Sequence, residues 1–183
     1  MKYITSKLFI LAAILTVSFF AVSANAQRGF DQRGLEKQVR HQILMLPYYD
    51  VFDYVSFNVS SNGTVTLYGQ VNEYSTKNGA ANRVKRIAGV RNVVNNIEIL
   101  PLSPSDDRIR RATVRAIASK GGLGGYFQGT NPDMHIIVKR GHITLEGVVR
   151  NQSDANLAYI AARGVSGAFS VTNKLISERD RIN

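Results

Sequence analysis

The chain has 183 residues, with 23 basic and 13 acidic side chains, a formal net charge of +10, no cysteine, no tryptophan and three histidines. The absence of cysteine excludes disulfides, thiolate metal sites, a cysteine nucleophile and a lipid-modified cysteine anchor. A basic balance calls for an acidic partner, and without cross-links the fold rests on its hydrophobic core alone.

Residues 1–26, MKYITSKLFILAAILTVSFFAVSANA, place Lys2 and Lys7 ahead of an apolar run from Leu8 to Val22, followed by Ala24 and Ala26. This is the charge, apolar core and A-x-A site of a secretory signal peptide, and it predicts cleavage after Ala26. The run of fifteen residues falls short of the roughly 20 that a spanning helix needs, which disfavours a permanent anchor. Removal of the segment leaves 21 basic against 13 acidic residues, a charge of +8. For an exported protein the acidic partner is phospholipid, anionic polysaccharide or an acidic protein sooner than nucleic acid.

Residues 34–46, GLEKQVRHQILML, put Leu35, Val39, Ile43 and Leu46 on one helical face. An aromatic stretch, PYYDVFDYVSF at 47–57, precedes the phrase GTVTLYGQV at 63–71, which returns as GHITLEGVV at 141–149. At an offset of 78, residues 55–100 align with 133–178 without a gap. Gly63/Gly141, Leu67/Leu145, Gly69/Gly147, Gly89/Gly167 and Asn95/Asn173 are identical, and Val59/Ile137 and Val65/Ile143 are conservative pairs. The chain is a duplication of one small unit.

In each unit the repeated phrase reads as a hairpin. A three-residue loop ending in glycine, Ser61-Asn62-Gly63 or Lys139-Arg140-Gly141, sets Val59 across from Val65 and Phe57 across from Leu67, so that one face is apolar. Ser75 and Ser153 are candidate caps for a second helix carrying Ala80, Val84 and Ile87, or Ala158, Ala162 and Val165, which runs toward Gly89 or Gly167. VRNVVNNIEI and FSVTNKLI then read as closing strands. Between the units, 101–105 is a proline-containing linker that should act as a stiff spacer and leave the copies in contact. In the second unit, Asp106 and Asp107 suit a helix start, with Ile109, Ala112, Thr113, Ala116 and Ile117 on the apolar face. The expected fold is α+β: two tandem αββαβ units at 31–100 and 106–178, each a three-stranded mixed sheet with two helices on one face, followed by a short tail at 179–183.

The pattern V-x-V-x-x-x-G-x-V-x-L-x-G-x-V runs from Phe57 to Val71, with Phe for its first Val, and again from His135 to Val149, with His at that position and Ile137 and Ile143 for the next two Val. A helix and then G-V-x-x-V-x-N follow it in the first copy. This resembles the BON domain family. The second copy departs at Gly167-Ala168-Phe169 and in a longer loop, KGGLGGYFQGTNPD. The resemblance implies a periplasmic, non-enzymatic protein without a cofactor, which binds anionic phospholipid or envelope partners and supports envelope integrity under osmotic stress.

Arg108, Arg111 and Arg115 fall within about a 60° sector of their helix. Residues 103–183 carry +5 against +2 for residues 31–102. With Tyr126 and Phe127 close behind, the three arginines form a candidate lipid-binding surface. Tyr48, Tyr49 and Phe52 suit packing between the copies. The alternative function is a scaffold module whose basic face meets an acidic protein or polysaccharide. The glycine run 121–125 lacks the residues of a phosphate loop and reads as a helix end followed by a flexible loop. His135 and His142 fall on opposite hairpin faces in the expected register, so no metal cluster is expected. No nucleophile, base and acid set emerges. Asn95 and Asn173 read as structural residues that bond nearby backbone.

Overall fold

A computed structural model describes residues 31–179. The expected signal segment 1–26, and all but the first residue of the 179–183 tail, lie outside the described residues. The first unit runs α1 (Gln32–Leu44), β1 (Tyr54–Val59), β2 (Thr64–Val71), α2 (Tyr74–Lys85) and β3 (Asn92–Ile99). The second repeats the order with α3 (Pro104–Ala118), β4 (Met134–Lys139), β5 (His142–Val149), α4 (Gln152–Arg163) and β6 (Ser170–Ser177), adding a 3-10 turn at Leu123–Phe127 before β4.

Each sheet is mixed, with order β1-β2-β3 or β4-β5-β6: the hairpin pair is antiparallel, and the strand after the helix returns parallel to the central one. The helical stripe Leu35, Val39 and Ile43 packs with Val65, Leu67, Ala80 and Val84 in the first core; Ile109 and Ile117 with Ile143, Leu145, Ala158 and Ala162 form the second. Asp31 and Ser103 cap α1 and α3, each side chain accepting a backbone N–H three residues on. The caps of α2 and α4 are Glu73 and Asn151 in place of Ser75 and Ser153; only Asn151 bonds through its side chain, to the Asp154 N–H.

The first hairpin has the expected register, Val59 opposite Val65 and Phe57 opposite Leu67. The second does not. Lys139 pairs with His142 and Val138 with Ile143, so its turn has two residues, Arg140 and Gly141, with φ of 53° and 78°. Two consecutive positive φ angles mark the turn whose twist suits a two-residue hairpin. The ungapped alignment therefore fails by one residue at this turn, and Ile136 and Val138, not His135 and Ile137, take the inward positions of β4. Such a slip exchanges the faces of a strand. The sequence MHIIVK tolerates it because it is apolar on both faces, and Ile137 is buried, 2% exposed, outside the second core. His135 and His142 consequently share the outer face, contrary to the expected placement.

The two units touch, as the stiff linker suggested. The Ile136 N–H of edge strand β4 donates to the Val51 carbonyl at 2.7 Å, and Phe52 packs against the second core. That contact covers part of a strand edge otherwise open to foreign pairing. Tyr49 is buried against the His135 ring at 5.4 Å, whereas Tyr48 is 85% exposed and takes no part in the interface. Lys139 Nζ meets Glu98 across the junction, an exposed pair worth no more than about 1 kcal/mol.

Candidate functional site

α3 carries four arginines and sorts them by direction. Arg110 turns inward, 4% exposed; its Nη2 donates to the Val138 carbonyl at 2.8 Å and its Nη1 meets the Asp107 carboxylate. Arg108, Arg111 and Arg115 are all exposed, and among the described residues no salt bridge involves them. Asp107 stands four residues before Arg111, the spacing of a helical ion pair, but its carboxylate is held by Arg110. Among the described residues the outward sector thus has no ion-pair partner.

The two acids do not cap the helix. Asp106 is 2% exposed, and its two oxygens accept the Arg140 and Gly141 backbone N–H groups, each at 2.8 Å. It fastens α3 to the two-residue turn between β4 and β5, and thereby sets where the arginine sector stands relative to the sheet. A short-range reading of Asp-Asp at a helix start has no means of finding a partner 34 residues away.

Tyr126 and Phe127 do not stand at the surface as a lipid contact requires. Tyr126 is 6% exposed; its hydroxyl donates to Asp154 Oδ2 and accepts the Arg150 backbone N–H at 2.9 Å, and the Arg150 guanidinium stands 5.3 Å over its ring. Phe127 is partly buried against the second core. Both are drawn in because the glycine run is not a loose loop: it leads into the 3-10 turn, which inserts Leu123 and Tyr126 into the core. Aromatic residues next to arginines suggested an interface, but the polar partners of Tyr126 lie 24 and 28 residues on, beyond local pattern.

The repeated polar residues act as expected. Asn95 Nδ2 donates to the Lys77 carbonyl at 3.0 Å and its Oδ1 accepts the Ile97 N–H; Asn173 repeats both bonds with Ala155 and Leu175. The repeated glycines Gly63, Gly69, Gly89, Gly141, Gly147 and Gly167 all have positive φ, between 78° and 121°. Among the described residues no group of His, Asp and Glu is placed to hold a metal, and no helix is long and apolar enough to cross a membrane.

A cleft of about 670 Å³ lies between the units, lined by Tyr54 and Phe57 from one and by Tyr126 and Ile176 from the other, with Arg40 and Arg150 on its walls. At its base His135 packs against Tyr49 and Tyr54, with Nδ1 3.2 Å from the Asp50 carbonyl. Burial holds its imidazole below the usual histidine range. Nearby Asp53, 2% exposed, accepts the Asn72 N–H at 2.7 Å. Burial, more than the charges of Asp50 and Glu73, pushes its carboxyl from 3.8 up to about 6.

The consequences of the two shifts for stability are opposite. Between about 4 and about 6 the folded chain holds the Asp53 proton that the unfolded chain has lost, so this carboxyl contributes stability below that window and withdraws it as pH rises through it. His135 works the other way, costing stability as pH falls below its unfolded value. Asp53→Asn, which keeps an acceptor for Asn72, should therefore stabilise the fold by about 2 kcal/mol at pH 7.5 and by little at pH 4. Thermal unfolding at the two pH values checks this; an equal effect at both would remove burial of the ionised carboxylate as its cause.

Two small α+β units arranged in tandem, each a three-stranded mixed sheet with two helices, define the class. The family model for the BON domain matches residues 31–101 and again 105–178, and the chain belongs to the BON domain family, a family of non-catalytic binding domains. No curated protein matches the chain. Among solved structures, CdsD, described as a structural protein of the type III secretion system of Chlamydia trachomatis, aligns at 14% identity and a TM-score of 0.31 over 81% of this chain and 95% of that one. A structure of the CdsD C-terminal domain aligns at 15% identity and 0.30, over 80% and 98% of the two chains.

Proposed function

We propose that the chain is exported by its N-terminal segment, processed after Ala26, and binds anionic phospholipid at the envelope surface through α3, supporting envelope integrity under osmotic stress. The observation that carries this reading is the exposed sector Arg108, Arg111 and Arg115, whose nearest acid in the helix is engaged by Arg110. Membership of the BON family agrees with it. With Tyr126 and Phe127 packed inside, the contact is electrostatic and peripheral, without an aromatic wedge.

Each basic residue beside an anionic surface is worth about 1 kcal/mol, so reversing three should cost at least about 3 kcal/mol, roughly a hundredfold in affinity. Flotation of residues 27–183 with phosphatidylcholine vesicles, and with vesicles containing phosphatidylglycerol, tests this. Binding should require the anionic lipid, weaken with salt and disappear in the Arg108→Glu, Arg111→Glu, Arg115→Glu triple variant. Retained binding by that variant removes α3 as the site. No binding to either vesicle, in low or physiological salt, removes the lipid reading and leaves a protein or polysaccharide partner.

A further inference from the structure

The first unit carries a groove on its helical side. It lies between α1 and α2, has a volume of about 1070 Å³, and no acidic residue lines it. Lys37, Arg83 and Arg86 supply positive charge, and the side-chain amides of Gln38, Gln42 and Asn82 stand among them. Its apolar floor is small, mainly the buried Leu46 and Ile87. At its mouth Tyr48 has φ of 61°, a left-handed backbone that costs a tyrosine stability, and holds its ring 85% exposed.

Internal duplication provides the comparison. The aligned positions on α4 and at its C-cap replace Gly79, Asn82, Arg83 and Arg86 by Leu157, Ile160, Ala161 and Gly164. Superposing the buried stripes Leu35-Val39-Ile43 and Ile109-Thr113-Ile117 puts Ala112 and Ala116 where Gln38 and Gln42 stand. In the second unit Ala112, Ala116 and Leu157 pack against the core and fill the seam between the helices. The same superposition puts Arg111 and Arg115 where Lys37 and His41 stand, so cations flank the seam in both copies; what differs is the seam itself, filled by alanine and leucine in the second copy and open and polar, with Arg83 and Arg86 added, in the first.

We infer that the α1/α2 groove binds an acidic polysaccharide, a chain of carboxylated or phosphorylated sugars. Arginine forks and a lysine match the anionic groups. Carboxamides, which donate and accept at once, match sugar hydroxyls. An exposed tyrosine ring offers a flat amphipathic platform for a sugar ring. A peptide fits less well: both walls are helices, so no strand edge is offered for backbone pairing, and the floor is too polar to take the apolar stripe of an amphipathic helix. The site is separate from the arginine sector of α3 and does not depend on the lipid reading.

Calorimetric titration of residues 27–183 with linear oligogalacturonate, alongside a neutral maltodextrin and polyglutamate of similar length, tests the inference. Oligogalacturonate should bind, maltodextrin should not, and polyglutamate should bind at least tenfold more weakly. Arg83→Glu with Arg86→Glu should weaken the glycan at least tenfold, as should Gly79→Leu with Asn82→Ile, which copies the second unit. Tyr48→Ala gives a third variant, one that removes no buried side chain, and it should weaken the glycan too. The α3 triple variant should keep glycan binding, and the groove variants should keep flotation with anionic vesicles. Absence of oligogalacturonate binding overturns the inference. So does equal binding of polyglutamate, which would assign an acidic protein instead, or loss in the α3 variant with none in the groove variants.

Discussion

Replacing Gly69 or Gly147 by alanine is expected to unfold the unit that carries it under conditions where the native chain is stable. Both glycines sit in a central strand opposite the start of its hairpin partner, with φ of 121° and 119°. A Cβ at Gly69 would lie 1.9 Å from the Tyr54 carbonyl oxygen, and one at Gly147 would lie 2.1 Å from that of Asp133. The obstacle is backbone on the neighbouring strand segment, so no rotamer change relieves it; the strands must separate. The cost combines a left-handed backbone with lost pairing, at least about 3 kcal/mol, enough to lower the midpoint of so small a unit by more than roughly 10 °C. Gly89→Ala is the internal contrast: its φ is 94° but nothing lies within 4 Å of a Cβ there, so only the backbone term, about 1 kcal/mol, should appear. Thermal unfolding followed by circular dichroism measures all three, and equal losses would mean that the close approach of the strands is not what these glycines serve.

The second large effect is expected at Asp106. Its carboxylate alone accepts two N–H groups of the β4–β5 turn, those of Arg140 and the buried Gly141. Asp106→Ala leaves both donors without this acceptor; the buried Gly141 N–H costs about 1–3 kcal/mol when unsatisfied and the more accessible Arg140 N–H less, so a loss of about 2–3 kcal/mol follows. Asp106→Asn keeps one acceptor and turns an N–H toward the other donor, so it should lose roughly half as much. The specific readout is amide exchange at Arg140 and Gly141, which should accelerate well beyond that of β1–β2 turn amides in the same sample. If the second unit melts at an unchanged temperature and these amides stay protected, Asp106 is not what fixes the turn.

How far the molecule could be read in advance depended on distance along the chain. The stripe Leu35, Val39 and Ile43, the Val59–Val65 register and the backbone-bonding role of Asn95 and Asn173 all follow from short-range patterns, and all are present. The candidate site was legible only in part. Helical periodicity marks Arg108, Arg111 and Arg115 as one sector, yet it cannot distinguish them from Arg110, which points inward because a carbonyl on β4 and Asp107 receive it. Tyr126 carries the composition of an interface residue and the partners of a core residue, and only the partners decide its position.

By itself, the sequence determined the duplication, the order of elements and the mixed α+β units, because these follow from periodicity and local pattern within a few residues. Tertiary structure decided the register of the second hairpin, since a strand apolar on both faces leaves the choice to a remote carboxylate and to the covering surface of the first unit. It also decided which arginines face outward, where Tyr126 goes, and that the α1/α2 seam is open and cationic while its α3/α4 counterpart is filled. Each of these is settled by contacts between residues distant in the chain, where hydrogen-bond satisfaction and packing volume override local pattern.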